Sequence, residues 1–229
     1  MIFLYRAKLL ILSQPKTGTT ALDNALAHRA SIVVNSPPEM KHLAYRKFMK
    51  FVAPWIRAQT GLTRKQYEVV SVMREPIDWL GSWYRYRTRE RLNNPDADRP
   101  GNYTGNVSFD QFILDVCKPK REQPSYAHIN SPCSVALNGE DSVGIDRIFP
   151  YEDMSGLYEL IEERTGKSVD TKQMNVSPEM KLEISDEARA RIKEKLAFAF
   201  ELHGSLRKDG FVDSRFRLKG NNDEGDAED

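Results

Sequence analysis

Short unbroken apolar runs alternate with amphipathic stretches along this chain, the pattern of strands joined through helices. The clearest unit is LLILSQPKTGTTALDNAL at 9–26. Leu9, Leu10, Ile11 and Leu12 predict a buried parallel strand. A polar break follows, and Leu22 and Leu26 then stand four apart on one face of a helix over 21–26. A second short strand is expected at 31–34, ending at Asn35-Ser36-Pro37-Pro38. A helix from Tyr45 towards Trp55 follows, with Phe48, Phe51 and Val52 as its apolar stripe.

The β-branched run YEVVSVM at 67–73 predicts the next strand. Arg74-Glu75-Pro76 closes it, and Pro76 suits the first turn of a helix from Ile77 to about Arg89. A long polar loop covers 92–106. Ser108 and Gln111 fit a capping box that opens a helix towards Val116. The connector 118–124 leads to 126–137, expected to be helical in part, where His128 reads as a surface or packing residue. DRIFP at 146–150 is the last strand. A helix over 157–164 is stopped by Gly166, a turn is expected at 175–178, and Ser185 caps a helix to about Leu206 with Ala188, Ile192, Leu196 and Ala199 as its buried line. The expected fold is α/β, a three-layer α/β/α arrangement around a central, mostly parallel sheet with a P-loop-like strand-loop-helix.

At 229 residues with 40% hydrophobic and 29% charged side chains, one domain over 1–220 accounts for the chain. The net charge of +1 conceals an asymmetry. The last nine residues, 221–229, hold five acids and no base, an acidic tail of disordered type, which leaves 34 basic against 28 acidic residues in the rest. That mild excess suits an anionic ligand and falls short of the basic stripe of a duplex-binding protein. Cys117 and Cys133 make neither a disulfide framework nor a metal site. Neither a signal peptide nor a spanning segment is read from the sequence, so the expected location is cytoplasmic, and the sequons at Asn102 and Asn106 carry no weight.

Candidate chemistry centres on Pro15-Lys16-Thr17-Gly18-Thr19-Thr20. A turn between a strand and a helix N-terminus points N–H groups at an anion; Gly18 permits close approach, the threonine hydroxyls add donors and Lys16 adds charge. The order is not Walker A, whose lysine directly follows its last glycine. At the second junction, Arg74 and Ser82 are spaced so that a long guanidinium side chain and a hydroxyl one and a half to two turns along a helix can meet one phosphate. The arginines at 85, 87, 89 and 91 read as a solvated basic face that is also within reach of an anion. If the second strand runs parallel to the first, Lys41-His42 lies at the same sheet edge as Lys16, where ligands of open α/β sheets bind.

The Pro-Lys-Thr-Gly-Thr-Thr turn resembles the 5'-phosphosulfate loop of sulfotransferases that use 3'-phosphoadenosine 5'-phosphosulfate (PAPS). The Arg74-Glu75-Pro76…Ser82 spacing resembles the 3'-phosphate motif of the same family. The resemblance covers 9–35 and 69–87 and reaches 177 more loosely. It implies metal-independent transfer of a sulfuryl group from PAPS to a hydroxyl or amine of an acceptor, carbohydrate acceptors among them. Lys16, Thr17, Gly18, Thr19, Thr20, Arg74 and Ser82 would bind the cofactor, and Tyr151 of Tyr151-Glu152-Asp153 would lie near the adenine. Lys16 would also be catalytic. Two residues compete as general base: His42, from a Lys-His loop one residue shorter than the family's Lys-Thr-His, and Glu39, since some carbohydrate sulfotransferases use a glutamate. A P-loop type nucleotide or small-molecule kinase and a non-catalytic nucleotide-binding module are the alternatives.

Overall fold

The computed structural model of the chain describes residues 1–94, 101–139, 141–169 and 180–217. The turn expected at 175–178, the acidic tail and residues 95–100 of the long loop lie outside them. The elements that position the site are β1 (Ile2–Leu4), β2 (Leu9–Leu12), α1 (Thr19–Leu26), β3 (Ile32–Val33), α2 (Pro38–Lys41), α3 (Tyr45–Lys47), α4 (Ala53–Thr60), β4 (Glu68–Met73), α5 (Pro76–Arg87), α6 (Phe109–Cys117), β5 (Arg147–Pro150), α7 (Ser155–Thr165), α8 (Asp186–Lys195) and α9 (Ala197–Gly204).

The strands form one mixed sheet in the order β3-β1-β2-β4-β5. β2 pairs parallel with β4 and β4 with β5, whereas β1 is antiparallel to both of its neighbours. β1 was not expected from the sequence. It forms a hairpin with β2 in which Ile2 faces Ile11 and Leu4 faces Leu9, and the polar Arg6 and Lys8, which obscure the apolar pattern, belong to its turn. β3 therefore runs in the same direction as β2 with β1 inserted between them, and four strands send their carboxyl ends to one edge.

The period of two along each strand separates two apolar clusters. Leu10 and Leu12 join Phe3, Val69 and Ile148 with Tyr45, Phe48, Ile56, Ala199 and Leu202. Leu9 and Ile11 join Ile2, Leu4, Val70, Val72 and Phe149 with Leu22 and Leu26 of α1 and Leu157, Leu160 and Ile161 of α7. A third cluster packs Trp79, Leu80 and Tyr84 of α5 on Phe109, Phe112 and Ile113 of α6 and Ala188 and Ile192 of α8.

Three expected helices differ from the sequence reading. Between α3 and α4 the backbone widens into a π-helical turn over Phe48–Val52; Pro54 has no N–H to donate, and its ring would strike the Lys50 carbonyl in a regular α-helix. Phe48 is buried as expected, but Phe51 is 62% exposed. The helix after Ser185 breaks at Leu196, where φ is −110° and ψ 27°. Leu196 touches both the first and the third apolar cluster, so the turn lets α8 and α9 bury their faces in different places. Within 126–137 only the one-turn helix Ser125–Ala127 reaches into the range, because Gln14 holds the segment by accepting from Val135 N–H (3.1 Å) and donating to the Ser131 carbonyl (3.2 Å).

Gly156, in the first turn of α7, is required by a close approach: a Cβ there would stand 1.7 Å from the Lys208 carbonyl oxygen. The segment beyond Lys208 closes the sheet edge, where Ile148 N–H donates to the Gly210 carbonyl at 2.7 Å. Gly156→Ala is expected to destabilise the protein by about 2–3 kcal/mol, the cost of overpacking. Urea unfolding measures it, and an unchanged midpoint would show that the segment yields freely.

Candidate active site

The chain leaves β2, β3, β4 and β5 at the shared carboxyl edge, and the candidate residues lie on those four exits. The first exit is a tight turn. Thr17, itself 1% exposed, donates its hydroxyl to the Gln14 carbonyl at 2.8 Å, and the Trp79 indole N–H of α5 donates to the Pro15 carbonyl at 2.8 Å. Lys16 and Gly18 are both left-handed, with φ of 66° and 67°. Glycine takes that conformation freely, but at a lysine it costs roughly 1–2 kcal/mol. The bonds on either side hold Lys16 there, a strain of the kind concentrated at ligand sites. Gly18 is the N-cap of α1 and carries no capping side chain; its carbonyl accepts the Ala21 N–H at 3.0 Å, and the N–H groups of Thr19 and Thr20, ahead of it, have no acceptor within the helix.

Lys16 turns back over α5, its Nζ 4.3 Å from the centre of the Tyr86 ring and 5.7 Å from that of Trp83. Arg89 and Arg91 stand over the same Tyr86 ring at 4.8 and 5.5 Å. Burial, then the positive charges of Arg89, Arg74, Arg85 and Arg87, lower the Lys16 pKa to about 8. A half-buried ammonium among arginines is electrostatically costly by itself, and an anion bound between them removes that cost.

Arg74, at the end of β4, donates to Asp78 at 2.5 Å and to the Lys16 carbonyl at 3.4 Å, and its guanidinium lies 4.5 Å from the Tyr151 ring centre. Asp78 also pairs with Arg85 at 3.4 Å, so one carboxylate orients two arginines. Tyr151, directly after β5, donates its N–H to the Met73 carbonyl and lies 3.4 Å from where a Cβ of Gly18 would stand. It packs on Arg74 and the turn. Ser82 is buried within α5, and among the described residues no hydrogen bond joins it to Arg74, which bonds Asp78 and the Lys16 carbonyl instead.

On the β3 exit, α2 carries Glu39 and Lys41 and ends at His42. Lys41 pairs with the buried Asp23 of α1 at 2.9 Å and donates to Thr20 Oγ1 at 3.2 Å, which fastens α2 to the turn's helix. His42 Nδ1 is 2.7 Å from the Ser13 carbonyl, three residues before Lys16. A carbonyl only accepts, so Nδ1 carries the hydrogen and Nε2 keeps its lone pair in the neutral ring. Burial lowers the His42 pKa, the Ser13 hydrogen bond opposes this, and Lys41 adds to the lowering. Glu39 is exposed in the first turn of α2. Thr19 is buried at the start of α1 and Thr20 is exposed.

The structure thus gathers Lys16, Gly18, Arg74, Tyr151 and His42 around one turn and leaves Ser82 within its helix and the Thr17 hydroxyl turned inward. The sequence reading missed the aromatic line Trp79, Trp83 and Tyr86, whose rings meet edge to face at 6.1 and 5.9 Å and carry both the turn and its cations. Its signal was the i, i+4, i+7 spacing. It also read the basic face of α5 as mainly solvated. Arg87 is buried, and its guanidinium donates to the carbonyls of Tyr126 and His128. No family model, no curated protein and no solved structure matches the chain.

Proposed function

We propose that the chain is a PAPS-dependent sulfotransferase acting in the cytoplasm on a hydroxyl or amine of an acceptor, with a domain of three-layer α/β/α type and a P-loop-like phosphate turn. The observation that carries this reading is the convergence of Lys16, Arg74, Arg85 and Arg89 on the turn before α1, with a neutral histidine bonded to a carbonyl of the same turn. Strained backbone, uncapped helix amides and a lysine with a depressed pKa together fit an anionic group.

The residues present fit the phosphosulfate end of the cofactor better than its 3'-phosphate. Lys16 and the amides from Gly18 to Thr20 would hold the former. Arg74, with Arg85 beside it through Asp78, would hold the latter, and Ser82 would need to become accessible. When bound, PAPS supplies an activated sulfuryl group and a phosphate leaving group. Lys16 and the turn amides stabilise negative charge that gathers at the leaving side, which is transition-state electrostatics. His42 Nε2 accepts the acceptor's proton, and Tyr151 and the Trp79-Trp83-Tyr86 line keep the cations in place. Glu39 is the competing base.

Calorimetry with adenosine 3',5'-bisphosphate against adenosine 5'-monophosphate, in EDTA, tests the reading. The bisphosphate is expected to bind about tenfold or more tightly, the worth of one charge-assisted hydrogen bond or better. Equal affinities would overturn the 3'-phosphate assignment, and binding that requires magnesium would favour a kinase. A pH dependence follows from Lys16. Below a pH of about 8 the lysine is already charged and its contribution is complete; above it, binding must take up a proton, so affinity falls as pH rises. The heat of binding should depend on the buffer's ionisation enthalpy above that value and not at neutral pH.

A further inference from the structure

We propose that the helical stretch from Tyr45 to Thr60 docks on an anionic lipid surface. Its outer ridge runs through Lys47, Lys50, Phe51, Pro54, Trp55 and Ala58, all exposed and set in two rows of four-residue spacing, 47-51-55 and 50-54-58. Phe51 is 62% and Trp55 53% exposed, and they are among the few large apolar side chains so presented by the described residues. Around them stand Arg46, Lys47, Lys50 and Arg57, and the stretch 45–60 contains no acidic residue. Among the described residues Arg46, Lys47 and Lys50 form no salt bridge, and Lys50 lies 5.2 Å from the centre of the Phe51 ring.

Aromatic side chains flanked by lysine and arginine on a surface helix suit the boundary between headgroups and acyl chains, where the rings insert and the charges meet acidic lipid. The π-helical turn over Phe48–Val52, opened by Pro54, keeps Phe48 in the core while Phe51 faces out. Charge decides against a second copy of the chain as the occupant, since a two-fold contact would press this ridge on its own positive image. Shape decides against single-stranded nucleic acid, which tracks a charged groove, whereas this ridge is the convex side of a helix. This inference is independent of the transfer reaction.

Sedimentation with phosphatidylcholine vesicles, with and without about 30% phosphatidylserine, tests it. Binding is expected only with the acidic lipid, accompanied by a blue shift of Trp55 emission, and should be reversed by salt near 0.5 M. Lys47→Gln with Lys50→Gln should weaken partitioning by about 25-fold, at roughly fivefold per charge. Phe51→Ser with Trp55→Ser should weaken it by about tenfold or more. All four side chains are exposed, so thermal melts should match the wild type. No binding to acidic vesicles, or binding indifferent to the aromatic pair, would overturn the proposal, as would tighter binding to a single-stranded oligonucleotide than to the vesicles.

Discussion

Lys16→Met is expected to lower sulfuryl transfer by about 10²–10³-fold, the usual consequence of removing one preorganised donor from a developing anion. The affinity for adenosine 3',5'-bisphosphate should fall much less, because Arg74, Arg85 and the turn amides remain. The same substitution should make the ligand-free protein more stable. Burial and the surrounding arginines bring the Lys16 pKa from 10.5 to about 8, so the charged lysine opposes folding. The sign follows from linkage: the cost is complete below about 8 and is recovered as pH rises towards the unfolded value. Methionine fills the place over Tyr86 and Trp83 without the charge. A lowering of this size corresponds to roughly 3 kcal/mol, and the partial exposure of Lys16 and its attraction to the Tyr86 ring offset part of it, so a gain on the order of 1–2 kcal/mol at neutral pH is expected. The turn itself should survive, since the Thr17 hydroxyl and the Trp79 indole hold it from either side. Steady-state kinetics, calorimetry and urea unfolding on one variant give the three numbers. Equal losses in turnover and affinity would remove the transition-state role of Lys16, and a less stable apoprotein would show that its charge is already compensated.

What could be read from the sequence was what a local pattern encodes. The run Leu9 to Leu12, the strand ending at Met73 and the DRIFP strand all lie in the sheet, because each has an apolar or β-branched centre and is closed by a turn or a proline. β1 was invisible because three residues carry no period, and its hairpin turn is rich in polar side chains. Its insertion nevertheless left β3 parallel in direction to β2, which is why Lys41 and His42 reach the edge that bears Lys16. The break at Leu196 was equally hidden, since an unbroken helical period does not reveal that Ala188 and Ala199 pack in different clusters.

The candidate site divides along the same line. Lys16, Gly18 and Arg74 are placed by strand ends, and strand ends are local. Ser82 was inferred from reach along a helix, which ignores that Arg74 has nearer partners in Asp78 and the Lys16 carbonyl. The worth of Tyr86 was not legible because it depends on Lys16, seventy residues away in the chain, meeting a ring that the neighbouring Arg89 and Arg91 also approach.

His42→Asn should reduce turnover by about 10²–10⁴-fold, the range for a positioned general base, and should change the pH profile in a way no structural defect would. Asparagine has an N–H able to approach the Ser13 carbonyl in place of Nδ1 but has no basic nitrogen where Nε2 stood. In the wild type the base must be neutral, so kcat/KM is expected to fall as pH drops through the His42 pKa, which burial holds below the ordinary histidine value. In His42→Asn that acid limb should flatten, and an acceptor with an unusually acidic hydroxyl should lose less, since it needs less help in giving up its proton. Linkage adds an independent sign. A histidine whose folded pKa is depressed binds fewer protons than in the unfolded chain, so the wild type should lose stability as pH falls below the unfolded value of about 6.5, more than the variant does. Glu39→Gln separates the rivals: if the limb persists in Glu39→Gln and disappears in His42→Asn, the histidine is the base. The reverse result would transfer the role to Glu39, and a limb that survives both substitutions would remove α2 from the chemistry.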